Sequence, residues 1–325
     1  MHITRRRITD RGEPVALTIG NFDGVHLGHQ AMIARLKRAA GRLGIAACVM
    51  TFEPHPRERL MPGQAPARLT DLREKLELLA AYGVSRAQIC RFDHAFAKIS
   101  AESFVTRILQ QEMNVRWLLV GEDFRFGAQR TGDIALLQKI FPESGERELE
   151  IMPPVTLDGQ RVSSTAVRSA LLSGDLDLAT DLMGRPYSVS GRVVDGLKLG
   201  RELGFPTANI RLKQQRLPLN GIFAVEAGWC NDSGHTRRAR GVASLGVRPT
   251  VLNDAQPLLE VHLFDFNEQI YGQRLRIDFL QKLRDEEKFP DIETLITQIE
   301  HDIDCAKAYF SRMDAAMHQT VCLDC

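Results

Sequence analysis

Two textures of apolar and polar positions divide the chain. From residue 15 to about 153, short apolar runs at 15–19, 46–52, 88–92, 117–120 and 149–152 alternate with segments 30–43, 71–82, 101–113 and 132–141. In those segments apolar residues recur three and four positions apart, so the runs predict strands and the segments predict amphipathic helices. That alternation predicts a parallel sheet with crossover helices. After a helical stretch at 175–183 the pattern changes. Residues 189–194, 208–212, 223–229, 240–245, 259–266 and 275–279 read as strands separated by glycine, proline and polar turns, which predicts a small antiparallel barrel. The segment 292–310 places Leu295, Ile299, Ile303 and Ala306 on one face and predicts a closing helix. The expected class is α/β plus β-barrel, with a first domain over 1–184, a second over 185–313 and a tail over 314–325. The boundary is set at Gly184-Arg185-Pro186.

Length agrees with this division, since 325 residues suit about two domains and a 44% hydrophobic content can build a core in each. Charge narrows the chemistry. Lys and Arg number 42 against 41 Asp and Glu, so no strong field of one sign is available to hold nucleic acid or an anionic membrane. Any phosphate chemistry must be local. Arg5, Arg6 and Arg7 are followed by no apolar stretch of signal-peptide length, and no run of about 18 apolar residues occurs, which predicts a cytoplasmic protein without a membrane partner. Of six cysteines, Cys48, Cys90, Cys230 and Cys305 are scattered. Cys322 and Cys325 form a lone C-x-x-C, read as part of a mobile tail rather than a redox or metal site because no second ligand pair is near in sequence.

The first candidate site follows the first strand of that alternating pattern. Gly20-Asn21-Phe22-Asp23-Gly24-Val25-His26-Leu27-Gly28-His29 leads into a helix, where main-chain N–H groups and the positive end of the dipole face an approaching phosphate chain. Small Gly24 and Gly28 let the backbone come close, and His26 and His29 can donate hydrogen bonds to α-phosphoryl oxygens as charge builds in a transition state. A single histidine at a strand end is more often structural. The paired H-x-G-H arrangement resembles the signature of the nucleotidylyltransferase superfamily, and neither G-x-G-x-x-G nor a P-loop motif is present. Ser163-Ser164-Thr165-Ala166-Val167-Arg168 is similar to that signature's second half. Its hydroxyls can cap a helix and bond phosphate oxygens, and Arg168 can grip the β- and γ-phosphates that leave as pyrophosphate. Residues 52–56 (Phe-Glu-Pro-His-Pro), Leu69-Thr70-Asp71 leading into Lys75, and Gly121-Glu122-Asp123-Phe124-Arg125-Phe126-Gly127 resemble the FMN adenylyltransferase domain of bacterial FAD synthetases. This implies a Rossmann-like domain with the loop at Asp123 near the flavin and nucleotide sites. Phe124 and Phe126 read either as flavin contacts or as loop anchors, and His55 as either a ligand contact or part of a rigid turn between prolines.

The second candidate site is the glycine-dense stretch 191–209. Gly191, Gly196, Gly200 and Gly204, with Lys198 and Pro206, can wrap phosphates with inward N–H groups, and Thr207 and Asn209 offer neutral oxygen ligands for Mg²⁺. An ordinary hairpin connection is the alternative. The string resembles riboflavin kinase, whose G-x-x-x-G-R-x-L-G-F-P-T-A-N motif it follows. The resemblance extends to 221–224, 246–250, Tyr271-Gly272 and 283–289, and departs from it at Phe223, where Tyr is usual, and at Ser244, where Asn is usual. It implies a riboflavin-kinase-type barrel in which Glu260 is the general base, accepting the proton of the ribityl hydroxyl as that oxygen attacks the γ-phosphorus of ATP.

Together the resemblances imply a bifunctional enzyme of flavin biosynthesis. ATP and Mg²⁺ convert riboflavin to FMN, and a second ATP converts FMN to FAD with release of pyrophosphate. The implied partners are these small molecules, with no nucleic acid and no membrane, on a monomer or weak homo-oligomer. Two alternatives remain open. One is a single active domain supported by the other. The second is a flavin- or nucleotide-binding regulator touching RNA, since H-x-G-H also occurs in synthetases that charge tRNA; the neutral balance and the lack of a basic, aromatic-rich stretch count against it.

Overall fold

The computed structural model describes residues 1–5, 12–142, 146–196, 199–214, 216–230, 234–248 and 256–321. The chain divides into two compact units, one formed by Met1–Pro66 and Leu72–Ser164, the other by Ala67–Asp71 and Thr165–Cys325. In the first, the elements run β1 (His2–Thr4), β2 (Val15–Ile19), α1 (Leu27–Leu43), β3 (Ala46–Glu53), α2 (Pro56–Leu60), α3 (Leu72–Ala81), β4 (Arg86–Arg91), α4 (His94–Ala97) and α5 (Ala101–Ser103), which continues as a π-helix (Phe104–Glu112). Then come β5 (Val115–Gly121), α6 (Ile134–Ile140), β6 (Glu148–Met152) and the hairpin β7 (Thr156–Leu157) and β8 (Gln160–Arg161).

Six strands, joined by five parallel pairings, form one sheet in the order β1-β4-β3-β2-β5-β6. Its strands alternate faces with period two, so Leu17, Met50 and Leu118 pack on one side with Val105 and Leu109, while Ala16, Val49 and Leu119 pack on the other with Ile33 and Leu36 of α1. All of β2 is buried, because β3 and β5 flank it. From β2 the chain order departs in both directions, and the crevice beyond the strand ends at such a reversal is where open α/β sheets bind ligands.

The five strands expected here are present and so are three of the four helices, and α2, α4, β1 and the β7–β8 hairpin are additional. Residues 101–113 do not form one α-helix. Buried positions recur at steady intervals of four, as Ala101, Val105, Leu109 and Met113, and as Phe104 and Ile108. The stretch Phe104–Glu112 takes π turns instead, seen at its end where Met113 N–H donates to Ile108 O, five residues back, at 2.9 Å. Strand β1 is too short to show a pattern. The β7–β8 hairpin carries its own turn signal in Asp158-Gly159, both at positive φ.

From Ser164 onward the elements are α7 (Ser164–Leu172), α8 (Leu176–Met183), β9 (Tyr187–Val194), α9 (Leu199–Glu202), β10 (Ala208–Arg211), β11 (Gly221–Cys230), β12 (Thr236–Arg248), β13 (Gln256–Leu263), β14 (Arg274–Arg284) and α10 (Ile292–Val321). The expected barrel is closed, in the antiparallel order β10-β13-β12-β11-β14-β9. Its interior holds Val189, Phe223, Leu259, Val261, Ile277 and Phe279. Helix α10 covers one wall through Ile303, Ala306 and Phe310, whereas Leu295 and Ile299 are only half-buried. It is fixed by two arginines. Arg284 donates from Nε to Asp302 Oδ1 at 2.9 Å and from Nη2 to Oδ2 at 2.8 Å. Arg240 donates two bonds to Asp314, at 2.6 and 2.7 Å, and lies over the Phe310 ring at 4.7 Å. The helix therefore continues through the start of the expected tail; Cys322 and Cys325 lie outside the described residues. No described helix is long and apolar enough to cross a membrane.

Two predictions follow from this packing. Asp302 is nearly inaccessible, so Asp302→Ala leaves the Arg284 guanidinium half-buried without its carboxylate and costs about 3 kcal/mol. Urea unfolding should show the barrel's transition at a clearly lower midpoint. Burial pushes the Cys48 and Cys90 thiols up to about 12. Mass mapping after iodoacetamide treatment near pH 8 should find Cys230, which is exposed, modified and Cys48 and Cys90 intact until denaturant is added.

Candidate active sites

In the first unit, β2 ends at Ile19 and the chain reverses before α1. Phe22, Gly24 and Val25 all have positive φ. Two of these are not glycine, a costly backbone state that persists only where surroundings over-determine it. Here both side chains are fully buried in the core. The loop is further pinned by Gly20 N–H donating to Met50 O at 3.1 Å, by Thr51 Oγ1 donating to Asn21 O at 3.2 Å, and by Ser164 Oγ donating to the Asp23 carbonyl at 2.9 Å.

This loop delivers His26 as the N-cap of α1 and His29 one turn in. Their rings stack with centroids 3.7 Å apart, and Phe22 leans on His29 at 4.9 Å. The first turn of α1 has no acidic residue, and His26 makes no side-chain cap bond there, so no carboxylate of that turn competes for the dipole end. Gly28 is required by closeness. A Cβ there would meet the His26 ring at 3.1 Å.

A cavity of about 220 Å³ opens above these rings, across the ends of β2 and β5. Gly20, Phe22, His26, Gly28, His29, Asp123, Phe124 and Ser163 all line it, so eight expected residues converge. The Phe alternatives separate. Phe126 is buried, bridges Gly132 and packs on Phe104 at 5.6 Å, which makes it the loop's anchor. Phe124 stacks on Phe126 at 5.4 Å and faces the cavity. His55 caps α2, accepting from Arg57 N–H at 3.2 Å while Glu58 accepts from His55 N–H, and is not among the described residues lining the cavity. Thr165 and Arg168 fall in the second unit, where Arg168 Nε donates to Ala67 O at 2.6 Å.

One cavity residue escaped the sequence reading. Arg161, on β8, donates to Asp123 Oδ2 at 2.7 Å and brings a positive charge to the wall. The Asp158-Gly159 turn was the signal that could have placed it.

In the barrel, Asn209 on β10 is directly opposite Glu260 on β13, which is directly opposite Ser244 on β12. Their neighbours Ile210, Leu259 and Leu245 point into the barrel, so these three share the outer face. Directly opposite Cβ atoms are about 5 Å apart, which puts the carboxylate beside the amide. Glycine again permits the approach. A Cβ on Gly196 would meet the Asn209 amide at 2.2 Å, and one on Gly200 would meet Phe205 O at 2.5 Å and Thr207 Oγ1 at 3.3 Å. Gly191, at 2.3 Å from Arg211 O by the same measure, lets β9 and β10 close on each other.

The glycine stretch is partly self-satisfied. Leu199–Glu202 is a helical turn, and the N–H groups of Gly204 and Phe205 donate to Arg201 and Gly200. Lys198 lies outside the described residues. Pro206 and Thr207 line an opening of about 350 Å³ that also touches Arg201, Ile270 and Tyr271, whereas Gly204 lines a different one beside α10. Among the described residues no cluster of three His, Cys, Asp or Glu could hold a metal.

With both sites laid out, relatives can be compared. Residues 9–166 match the FAD synthetase family and residues 183–310 the riboflavin kinase family. A protein of Haemophilus influenzae named bifunctional riboflavin kinase/FMN adenylyltransferase is 46% identical over 296 residues, 91% of this chain and 94% of its own length. One of Pseudomonas fluorescens with the same name is 47% identical over 291 residues, 90% and 91%. Among solved structures, a chain described as a macrolide-efflux protein from Streptococcus pneumoniae superimposes with a TM-score of 0.78 at 28% identity, covering 93% of this chain and 97% of that one. Two family domains in this order and near-full-length relatives at this identity make the chain a member of the bifunctional riboflavin kinase/FMN adenylyltransferase family.

Proposed function

We propose that this flavin-synthesising enzyme runs its two reactions at the two sites described, with FMN adenylylated in the first unit's histidine cavity and riboflavin phosphorylated at the Thr207–Asn209–Glu260 face of the barrel. The observation that carries this reading is that each unit, taken alone, presents an opening edged by its own motif. The corresponding domains are read as 1–184 and 185–313.

For phosphorylation, Glu260 accepts the proton of the terminal ribityl hydroxyl, whose oxygen attacks the γ-phosphorus of ATP while the bond to ADP breaks. The hard, neutral oxygens of Thr207 and Asn209 suit Mg²⁺, and the side-chain-free approach of Gly196 to Asn209 fits a cradle for it. Bound there, Mg²⁺ would offset charge on the triphosphate. For adenylylation, a phosphate oxygen of FMN attacks the α-phosphorus of a second ATP, and pyrophosphate leaves. His26 and His29 donate hydrogen bonds to the α-phosphoryl oxygens, where charge grows in the transition state. The hydroxyls of Ser163, Ser164 and Thr165 are assigned to phosphate oxygens, and Arg168 to the β- and γ-phosphates that leave as pyrophosphate. No protein nucleophile is needed, and catalysis rests on positioning and electrostatics. A cytoplasmic location and a monomer or weak homo-oligomer belong to the same reading, as do small-molecule partners without nucleic acid, the last supported by the balance of 42 basic and 41 acidic residues.

The reading predicts a double dissociation. His29→Ala should lower FAD formation from supplied FMN about 100-fold and spare FMN formation from riboflavin. Glu260→Ala should lower FMN formation about 100-fold or more and spare FAD formation. Product chromatography with riboflavin or FMN, ATP and Mg²⁺ decides, and a His29→Ala protein that still makes FAD normally removes the histidine site from the account. Gly196→Val should push the Asn209 amide aside and raise the Mg²⁺ needed for half-maximal FMN formation about tenfold, leaving the rate of FAD formation from FMN unchanged.

A further inference from the structure

Three arginines stand in one cross-strand row on the outside of the barrel. Arg211 on β10 is directly opposite Arg192 on β9, and Arg192 is directly opposite Arg274 on β14. Their chain neighbours Ile210, Val193 and Leu275 are buried inside, so the row faces outward, with Arg192 and Arg211 exposed. Like charges directly opposite on adjacent strands weaken pairing.

Other arginines of this barrel avoid that cost by pairing. Arg238 meets Glu226 at 2.7 Å, Arg276 meets Asp278 at 2.8 Å and Arg284 meets Asp302 at 2.8 Å. Among the described residues, neither Arg192 nor Arg211 has a carboxylate partner; Arg192 Nη1 reaches only the Gly272 carbonyl, at 3.4 Å. A local excess of positive charge is therefore maintained on a chain that is close to neutral as a whole.

Its position gives it a ligand. Arg211 is two residues beyond Asn209 on the same face of β10, about 7 Å along the strand. Arg192 donates to Gly272 O, and Gly272 follows Tyr271, which lines the opening edged by Pro206 and Thr207. We propose that Arg192 and Arg211 form an anion-attracting strip on the rim of the kinase site, drawing in the triphosphate of ATP before Thr207 and Asn209 engage it. This rests on the reading of the barrel face as the kinase site. The strip acts at long range, because fields reach about 30 Å at 0.01 M salt and about 8 Å at 0.15 M, and a charge-lined rim raises the local concentration of an oppositely charged substrate.

The test uses the purified full chain and initial rates of FMN formation from riboflavin, with ATP titrated at low and at physiological ionic strength. The variant is Arg192→Gln combined with Arg211→Gln. Its KM for ATP should rise about fivefold at low ionic strength and converge on the unmodified protein's at high, with kcat unchanged and the KM for ATP in FAD formation unchanged. Melting temperature should hold or rise, since like-charge repulsion is relieved. Removing equal charge elsewhere, by Arg35→Gln with Arg42→Gln, should leave the kinase KM alone. An unaltered KM and salt dependence in the row variant overturns the proposal, as does an equal shift in the control pair, or a melting drop that takes both activities with it. If the unmodified protein forms no FMN, the kinase reading itself falls and the strip with it; if it is active and the row variant behaves identically, only the strip falls.

Discussion

A triphosphate concentrates negative charge that a protein with 42 basic and 41 acidic residues has no surplus to neutralise. The rest of the structure depends on how closely main chain and a few fixed groups can be brought to such an anion. In the first unit the proposed place is the crevice at the end of β2, where the strand order reverses. The buried rings of Phe22 and the buried Val25 then hold a backbone that would otherwise relax, and Gly28 lets the stacked histidines sit against the helix end. The barrel face proposed for the kinase reaction is built by other means. Cross-strand register sets Glu260 beside Asn209, and Gly196 lets the preceding loop lie on the amide.

Much of this was legible from the residues in order. Strand and helix positions followed from period, since each element has one buried side and the burial of β2, β3 and β5 is continuous enough to read. The histidine pair, Asp123, Phe124 and Ser163 were named from motifs and meet around one cavity. What local pattern could not give was anything set across the fold. The register that places Ser244 and Asn209 on either side of Glu260 is fixed by strand pairing between segments far apart in sequence. Which of two nearby phenylalanines faces the cavity depends on Gly132, whose missing side chain leaves room for the Phe126 ring. The glycine stretch at 191–209 was read as one wrapping loop, yet it contains a helical turn that uses its own N–H groups, and Gly204 lines a different opening from Pro206 and Thr207.

Helix α10 shows how far a period alone can mislead about an end. The expected helix ended at Phe310, but the helix runs to Val321, with Met313 packed on the same cluster as Phe310 and Asp314 tied by two bonds to Arg240. A charged contact reinforces the end of the element, where the polar residues between the apolar ones read as a tail. The same holds for Arg161, which reaches the histidine cavity from a hairpin of two-residue strands.

The sheet and the barrel differ in what they leave unpaired. A closed barrel has no edge strand, so no free row of barrel N–H and C=O groups is offered to another chain. The open sheet ends at β1, three residues long, and at β6, whose Glu148 and Glu150 are held by Arg42 and Arg35 of α1. Short length at one border and fixed charge at the other blunt both as templates for strand addition. Copies of this enzyme crowded together during synthesis thus have little backbone with which to stick, and an association between them has to be made by side chains.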